Sequence, residues 1–345
     1  MTVTSLRLGT RGSALAMAQS GATATLIGQA AGIDVDLVHI RTDGDVLTGS
    51  LATMGGTGVF VTAIRQALLN GDIDVAVHSL KDLPTAPQEG TIIIVPERES
   101  PQDALCSRHG EGLDLLPDGA LVGTGSPRRA AQLLEARPDL RIVDIRGNVD
   151  TRLARAGLST ADKPNIPNDL DAVVLATAGL RRLGRAHVIS ELLPPATMLP
   201  APGQGALAVE VRAELATEHP GVFAALRTLH HTPTALAVTA ERALLRHLEA
   251  GCAAPVGALA TVHQGTMHLT GIALDPRTAP VGEAPGADVR DINAAPLAMT
   301  RPADARPPLR GEVTRVVATD EDARQVGVEL AESLLAEGAA EFLRG

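Results

Sequence analysis

The chain has 345 residues, 45% of them hydrophobic and 20% charged, with a formal net charge of -10 at pH 7. At about 100 to 200 residues per domain this length holds two or three folded units, and no apolar run approaches the roughly 20 residues that span a bilayer. The acid excess, with no Trp or Tyr and only three Phe, lacks the basic footprint and stacking platforms of a nucleic-acid surface, so an anionic ligand must meet a local basic cluster.

At the N-terminus "ALAMA" at 14–18 imitates a signal-peptidase site, but Arg7 and Arg11 interrupt the apolar stretch before it. The chain therefore reads as uncleaved and cytoplasmic. Short β-branched runs then alternate with helical patterns: "LRLGT" (6–10), "VDLVHIRT" (35–42), "DIDVAVHSL" (72–80), "TIIIVP" (91–96), "ALVGTG" (120–125), "LRIVDIRG" (140–147) and "LDAVVLATAG" (170–179). This is an α/β pattern with mixed, mostly parallel sheets, whose ligands bind where strands end and turn into helices. Pro and charge gather in "VPERESPQD" (95–103) and again in "LLPPATMLPAPGQG" (192–205), which reads as two crossings between lobes, and "ALAVEVR" (206–212) as a strand that returns to the first lobe. Helices are expected at 220–230, 233–250 and near 320–337, around short strands. The expected division is 1–96 with 197–217, 97–196, and a smaller α+β unit at 218–345. Residues 275–312 hold seven prolines and no periodic apolar face, and read as a mobile surface insertion in that third unit.

The polar residues at strand ends carry the chemistry. "GTGSPRRAAQLLEARP" places Ser126 as an N-cap, Pro127 at the first helical position and Arg128 and Arg129 in the first turn. Cations there oppose the helix dipole, so they call for an anion or a nearby acid. The bland alternative is a solvated pair. Arg11, Arg146, Arg152 and Arg182 fall at similar junctions, and bidentate guanidinium groups in this number suit a ligand with many carboxylates. "AVHSLKDLP" (76–84) ends a strand with His78, Ser79, Lys81 and Asp82. Asp82 is placed to exchange a proton or hold a developing cation, although an arbitrary Lys-Asp pair more often just makes a turn.

The glycine loops "GGTGVF" (55–60) and "GTGSPR" (123–128) lack the signatures of dinucleotide and P-loop sites, and the first is read as a lid. No metal set is expected, since neither Cys106 nor Cys252 has a partner at zinc spacing. Two cysteines build no disulfide framework and fit a reducing compartment. Cys106 reads as a buried inert thiol, whereas Cys252 follows a helix in a turn of Gly and Ala that leaves its sulfur accessible.

In their order, "TRGSALAMAQ", "GGTGVF", "HSLKDLP", "VGTGSPRR", "IRGNVDTR", "ATAGLRRLG", "LPAPGQGALAVE" and "TAERALLRHLEAGCAAPVG" resemble the hydroxymethylbilane synthases, also called porphobilinogen deaminases, over residues 10 to 257. The resemblance implies a monomeric enzyme of tetrapyrrole (haem) biosynthesis with two periplasmic-binding-protein-like lobes and a third domain. It implies a transferase that joins four porphobilinogen units head to tail, releasing ammonia each time, and then frees linear hydroxymethylbilane by hydrolysis. It also implies a dipyrromethane cofactor in thioether linkage to Cys252. Ser13, Lys81, Arg128, Arg129 and Arg146 would bind that cofactor, Arg11, Arg152 and Arg182 the substrate carboxylates, and Asp82 would be catalytic, stabilising the cation formed as ammonia leaves. Thr53 and Thr57 stand where many members have lysines, which removes basic contacts from the lid. A non-catalytic two-lobed solute-binding module is the competing class, and it accounts for neither the "AGC" turn nor the third unit.

Overall fold

A computed structural model describes residues 5–40, 58–159, 166–250, 254–278 and 298–343. In chain order the first elements are β1 (Ser5–Thr10), α1 (Ala14–Ala31), β2 (Asp34–His39), α2 (Gly58–Leu69), β3 (Val75–Ser79) and β4 (Thr91–Ile94). Next come β5 (Asp103–Ser107), β6 (Leu121–Gly123), α3 (Pro127–Ala136), β7 (Arg141–Val143), α4 (Val149–Arg155), β8 (Ala172–Ala176), α5 (Thr177–Arg182) and β9 (Glu191–Leu192). The chain continues through β10 (Leu207–Arg212), α6 (Leu215–Glu218), α7 (Pro220–Arg227), α8 (Thr232–His247), β11 (Val256–His263) and β12 (Thr266–Ala273). It closes with β13 (Ala298–Met299), β14 (Leu309–Val316), α9 (Asp320–Ala336) and α10 (Ala340–Leu343).

Three sheets result. The first has the order β2-β1-β3-β10-β4, and only β10, which returns from the second lobe, runs against the others. The second has the order β13-β7-β6-β8-β5-β9, with β7, β6, β8 and β9 running one way. Its strands show the two-residue period of a sheet covered on both faces. Leu105, Val122, Ile142 and Val174 join one core cluster, while Ala104, Cys106, Val143, Val173 and Leu175 join the other. The third sheet, β11-β12-β14, is antiparallel. Ala258, Ala260, Met267, Leu269 and Val313 on one of its faces pack with α8 and α9, leaving Thr261, His263 and His268 outside that core. The two helices approach closely because Gly327 has no Cβ, which would stand 2.2 Å from the Ala240 carbonyl oxygen. The protein is thus an α/β pair of mostly parallel lobes with a smaller α+β unit, and no helix among the described residues is long and apolar enough to cross a membrane.

The reading of 275–312 as a mobile insertion needs correction at both ends. Residues 309–312 begin β14, and β13 pairs with β7 of the second lobe through Ala298↔Val143 and Met299↔Ile142. Buried Asp275 accepts from the Arg277 guanidinium and the Arg306 backbone N–H, and Arg301 is paired with Glu135 on α3. An edge addition of two residues needs only backbone partners, so it leaves no apolar alternation in the sequence. Residues 279–297 lie outside the described residues.

Candidate active site

The site begins where the crossings pass between the lobes. Asp103, the first residue of β5, has no exposed surface. Arg129 donates to its Oδ1 from Nε (3.0 Å) and Nη2 (2.8 Å), Arg128 to its Oδ2 from Nη2 (2.8 Å), and Gln204 to Oδ1 from Nε2 (2.9 Å). Burial alone would raise the Asp103 pKa, but the charges of Arg128 and Arg129 and the hydrogen bonds hold it well below the usual carboxylate range. The acid required by cations in the first turn of α3 is therefore Asp103, and the solvated alternative is overturned: Arg128 and Arg129 are 4% and 5% exposed. Ser126 caps α3 with Pro127 behind it, as the sequence predicts.

Lys81 comes from the first lobe. β3 ends at Ser79, and Leu80–Asp82 form a single 3₁₀ turn that leaves Lys81 half-buried and Asp82 exposed. The Lys81 ammonium donates to Gln204 Oε1 at 3.2 Å, so Gln204 bridges Lys81 and Asp103 across the junction. Desolvation, then the positive charge of Arg129, pulls the Lys81 pKa down to about 8 against the opposing effects of Asp82 and Asp103. Gln204 lies between Gly203 (φ 78°) and Gly205 (φ 87°). A Cβ on Gly205 would stand 2.3 Å from the Glu99 carbonyl oxygen, so the close passage of the two crossings requires glycine there.

The remaining predicted residues spread around this core. Arg152 donates from Nε to the Gly147 carbonyl (2.9 Å), and its pKa is lowered by burial and then by Arg129, with Arg146 adding to the effect. Arg146 is exposed, 3.4 Å from Asp144. Lys81, Asp82, Arg128, Arg129, Arg146 and Arg152 thus belong to one electrostatic neighbourhood. Arg182 donates to the carbonyl of Gly205 (2.7 Å), next to Gln204, and burial lowers its pKa against the opposing effect of Glu99. Half-buried Arg11 precedes Ser13, the N-cap of α1, and α1 packs on α5 of the second lobe. Cys252, Thr53, Thr57 and residues 55–57 of the expected lid lie outside the described residues.

The third unit grips this junction through α8. Buried Glu241 accepts from Arg98 on the first crossing (2.7 and 3.0 Å), from Gly203 N–H on the second (2.7 Å) and from Ala260 N–H in β11 (2.9 Å). Sequence reasoning missed Asp103, Gln204 and Glu241. The one local signal was an acid ending a charged crossing at the entrance to an apolar strand.

Cations this crowded repel one another unless an anion joins them, and Arg128 Nε is buried with no partner among the described residues. Fold and site together define an α/β protein of two lobes with a cationic cluster at their junction, whose charge an anionic ligand such as a polycarboxylate would balance. Residues 6–218 match the family model for the porphobilinogen deaminase dipyromethane cofactor binding domain, and residues 235–295 that for the porphobilinogen deaminase C-terminal domain. The porphobilinogen deaminase of Micrococcus luteus is 49% identical over 97% of this chain and 93% of the relative. That of Leifsonia xyli subsp. xyli is 48% identical over 98% and 94%. An arginine-specific periplasmic binding protein of Salmonella typhimurium aligns over 66% of this chain and 93% of its own, at 14% identity and a TM-score of 0.37. The chain belongs to the porphobilinogen deaminase family. Its activity is that of a hydroxymethylbilane synthase: a transferase that uses a dipyrromethane cofactor, joins four porphobilinogen molecules with release of ammonia and liberates the linear tetrapyrrole.

Proposed function

We propose that this chain works as a cytoplasmic monomer, without nucleic acid, and that Cys252 carries its dipyrromethane in thioether linkage. The reading is carried by the surplus of positive charge around one buried carboxylate: Lys81, Arg128 and Arg129 meet Asp103. Ligand acetates and propionates balance that surplus. Arg128 Nε supplies a donor that no described residue uses, so the residues present fit a polycarboxylate cofactor. Ser13, Lys81, Arg128, Arg129 and Arg146 hold its carboxylates, and Arg11, Arg152 and Arg182 hold those of the incoming substrate. Bound there, the dipyrromethane supplies the covalent anchor on which the chain grows. Asp82, exposed on its turn beside Lys81, accepts a pyrrole N–H and offsets the positive charge that develops on the substrate as its amino group leaves as ammonia.

The choice of thiol has independent support. Cys106 has no exposed surface, sits in the second-lobe core and has its pKa pushed up to about 12 by burial, so it is neither accessible nor ionised at neutral pH. Free Cys106, in a chain with two cysteines, fits a reducing compartment. Peptide mapping of the holoenzyme is expected to find the adduct on the peptide containing Cys252. Cys252→Ala is expected to lose cofactor and activity together, and Cys106→Ala to keep both. An adduct on Cys106, or hydroxymethylbilane made by Cys252→Ala, overturns the assignment.

A further inference from the structure

Arg242 follows Glu241 on α8, and its guanidinium reaches out of the third unit to the turn after β3. Nη1 donates to the carbonyls of Leu80 (3.0 Å) and Leu83 (3.1 Å), and Nη2 donates to that of Pro84 (2.6 Å). These carbonyls bracket Lys81 and Asp82. The turn has little holding it from within: Leu83 N–H closes it onto the Leu80 carbonyl at 3.2 Å, and Ser79 provides no side-chain cap. From outside, Leu80 N–H donates to the Ala206 carbonyl (3.0 Å) and Lys81 to Gln204 (3.2 Å). One 3₁₀ turn is too short to fix its own geometry, so these external contacts set the direction in which Asp82 points.

We propose that Arg242 is a positioning residue for the reaction, fixing the turn that presents Asp82 by binding three of its carbonyls at once. The proposal rests on Asp82 as the catalytic carboxylate. It also gives α8 a second task. Glu241 locks the lobe crossings, Arg242 locks the catalytic turn, and the same segment runs on ten residues to Cys252. The placement of Asp82 is thereby referred to the helix that leads to the cofactor cysteine, and not to the first lobe alone. Only a guanidinium serves, because its two amino groups reach separate carbonyls while a lysine ammonium offers one point.

The test uses holoenzyme with Arg242→Met and Arg242→Lys, the second keeping the stem and charge that support the fold. Intact mass is expected to show full cofactor loading in Arg242→Lys, with KM within about twofold of wild type and kcat reduced on the order of 100-fold, the size expected for a misplacement of about 1 Å. In an Asp82→Asn background, single-turnover rates are expected to fall by less than about threefold further when Arg242 is also replaced, since the two residues act as a unit. Wild-type kcat in Arg242→Lys, or losses that simply multiply in the double variant, would overturn the proposal while Asp82→Asn alone remained impaired. Near-normal turnover in Asp82→Asn would instead remove the assignment of Asp82 on which it rests.

Discussion

Glu210 in the first lobe and Asp103 in the second both have no exposed surface and both are bound by arginine, yet their surroundings differ in one respect. Arg65 Nε lies 3.0 Å from both Glu210 oxygens, Thr91 Oγ1 donates to one at 2.8 Å, and His78 Nε2 is 3.2 Å away. One carboxylate meets one guanidinium there, inside the lobe, with the His78 ring beside them. Asp103 meets two guanidinium groups at the junction, with Lys81 attached through Gln204. A balanced buried pair reports on packing, whereas a pair with excess charge of one sign, next to a place where two lobes meet, reports on a ligand of the other sign.

The strongest way to break this comparison is Asp103→Asn. It leaves Arg128 and Arg129 buried without a counter-ion, for which a loss of roughly 3–5 kcal/mol is expected in denaturant unfolding. Cofactor loading, read by intact mass, is expected to fail as well. Normal loading in the folded variant would reduce Asp103 to the structural role of Glu210.

Glu210→Gln is the matched control, expected to lose stability while the folded protein keeps near-normal turnover. Burial raises the Glu210 pKa, but the contact with His78 and the hydrogen bond from Arg65 outweigh it and bring the pKa from 4.5 to about 2. Because the folded value is the lower one, this stability is complete above pH 4.5 and is lost as pH falls toward about 2. Its full size is about 3 kcal/mol. Acid titration of stability should therefore be shallower between pH 5 and pH 2 in Glu210→Gln; an unchanged slope would show that other carboxylates set it.

The smallest effect sharpens the other side. With a pKa near 8, Lys81 in the cofactor-free protein loses its proton just above neutrality. Cofactor assembly from porphobilinogen should slow above about pH 8 as the cation that meets a ligand carboxylate is neutralised. Lys81→Arg should move that limb beyond pH 10, at a cost of a few-fold in rate at pH 7. A limb that stays at pH 8 belongs to another group.

Much of the fold was legible because its signals are local. The run 120–125 and the N-cap at Ser126 mark β6 and the start of α3, and the expected helices at 220–230, 233–250 and 320–337 appear as α7, α8 and α9 within a few residues. The site was legible as a set of residue types. Its pairings were not, since Arg65 meets Glu210 across 145 positions and Arg242 meets Leu80 across 162. The prolines at 307 and 308 disguised the start of β14, whose burial alternates only from Leu309 to Val313.

The sequence by itself determined the family, the chemistry available and the residues able to supply it, because motifs, caps and strand periods are written in neighbouring positions. Tertiary structure alone decided which acid faces which base. Arg128 and Arg129 are the same side chain on a surface or in a core, and only burial against Asp103, with Lys81 beyond Gln204, gives them a desolvated excess of charge. An electrostatic site depends on distances between charges and on the water removed from among them, and neither is a property of chain order.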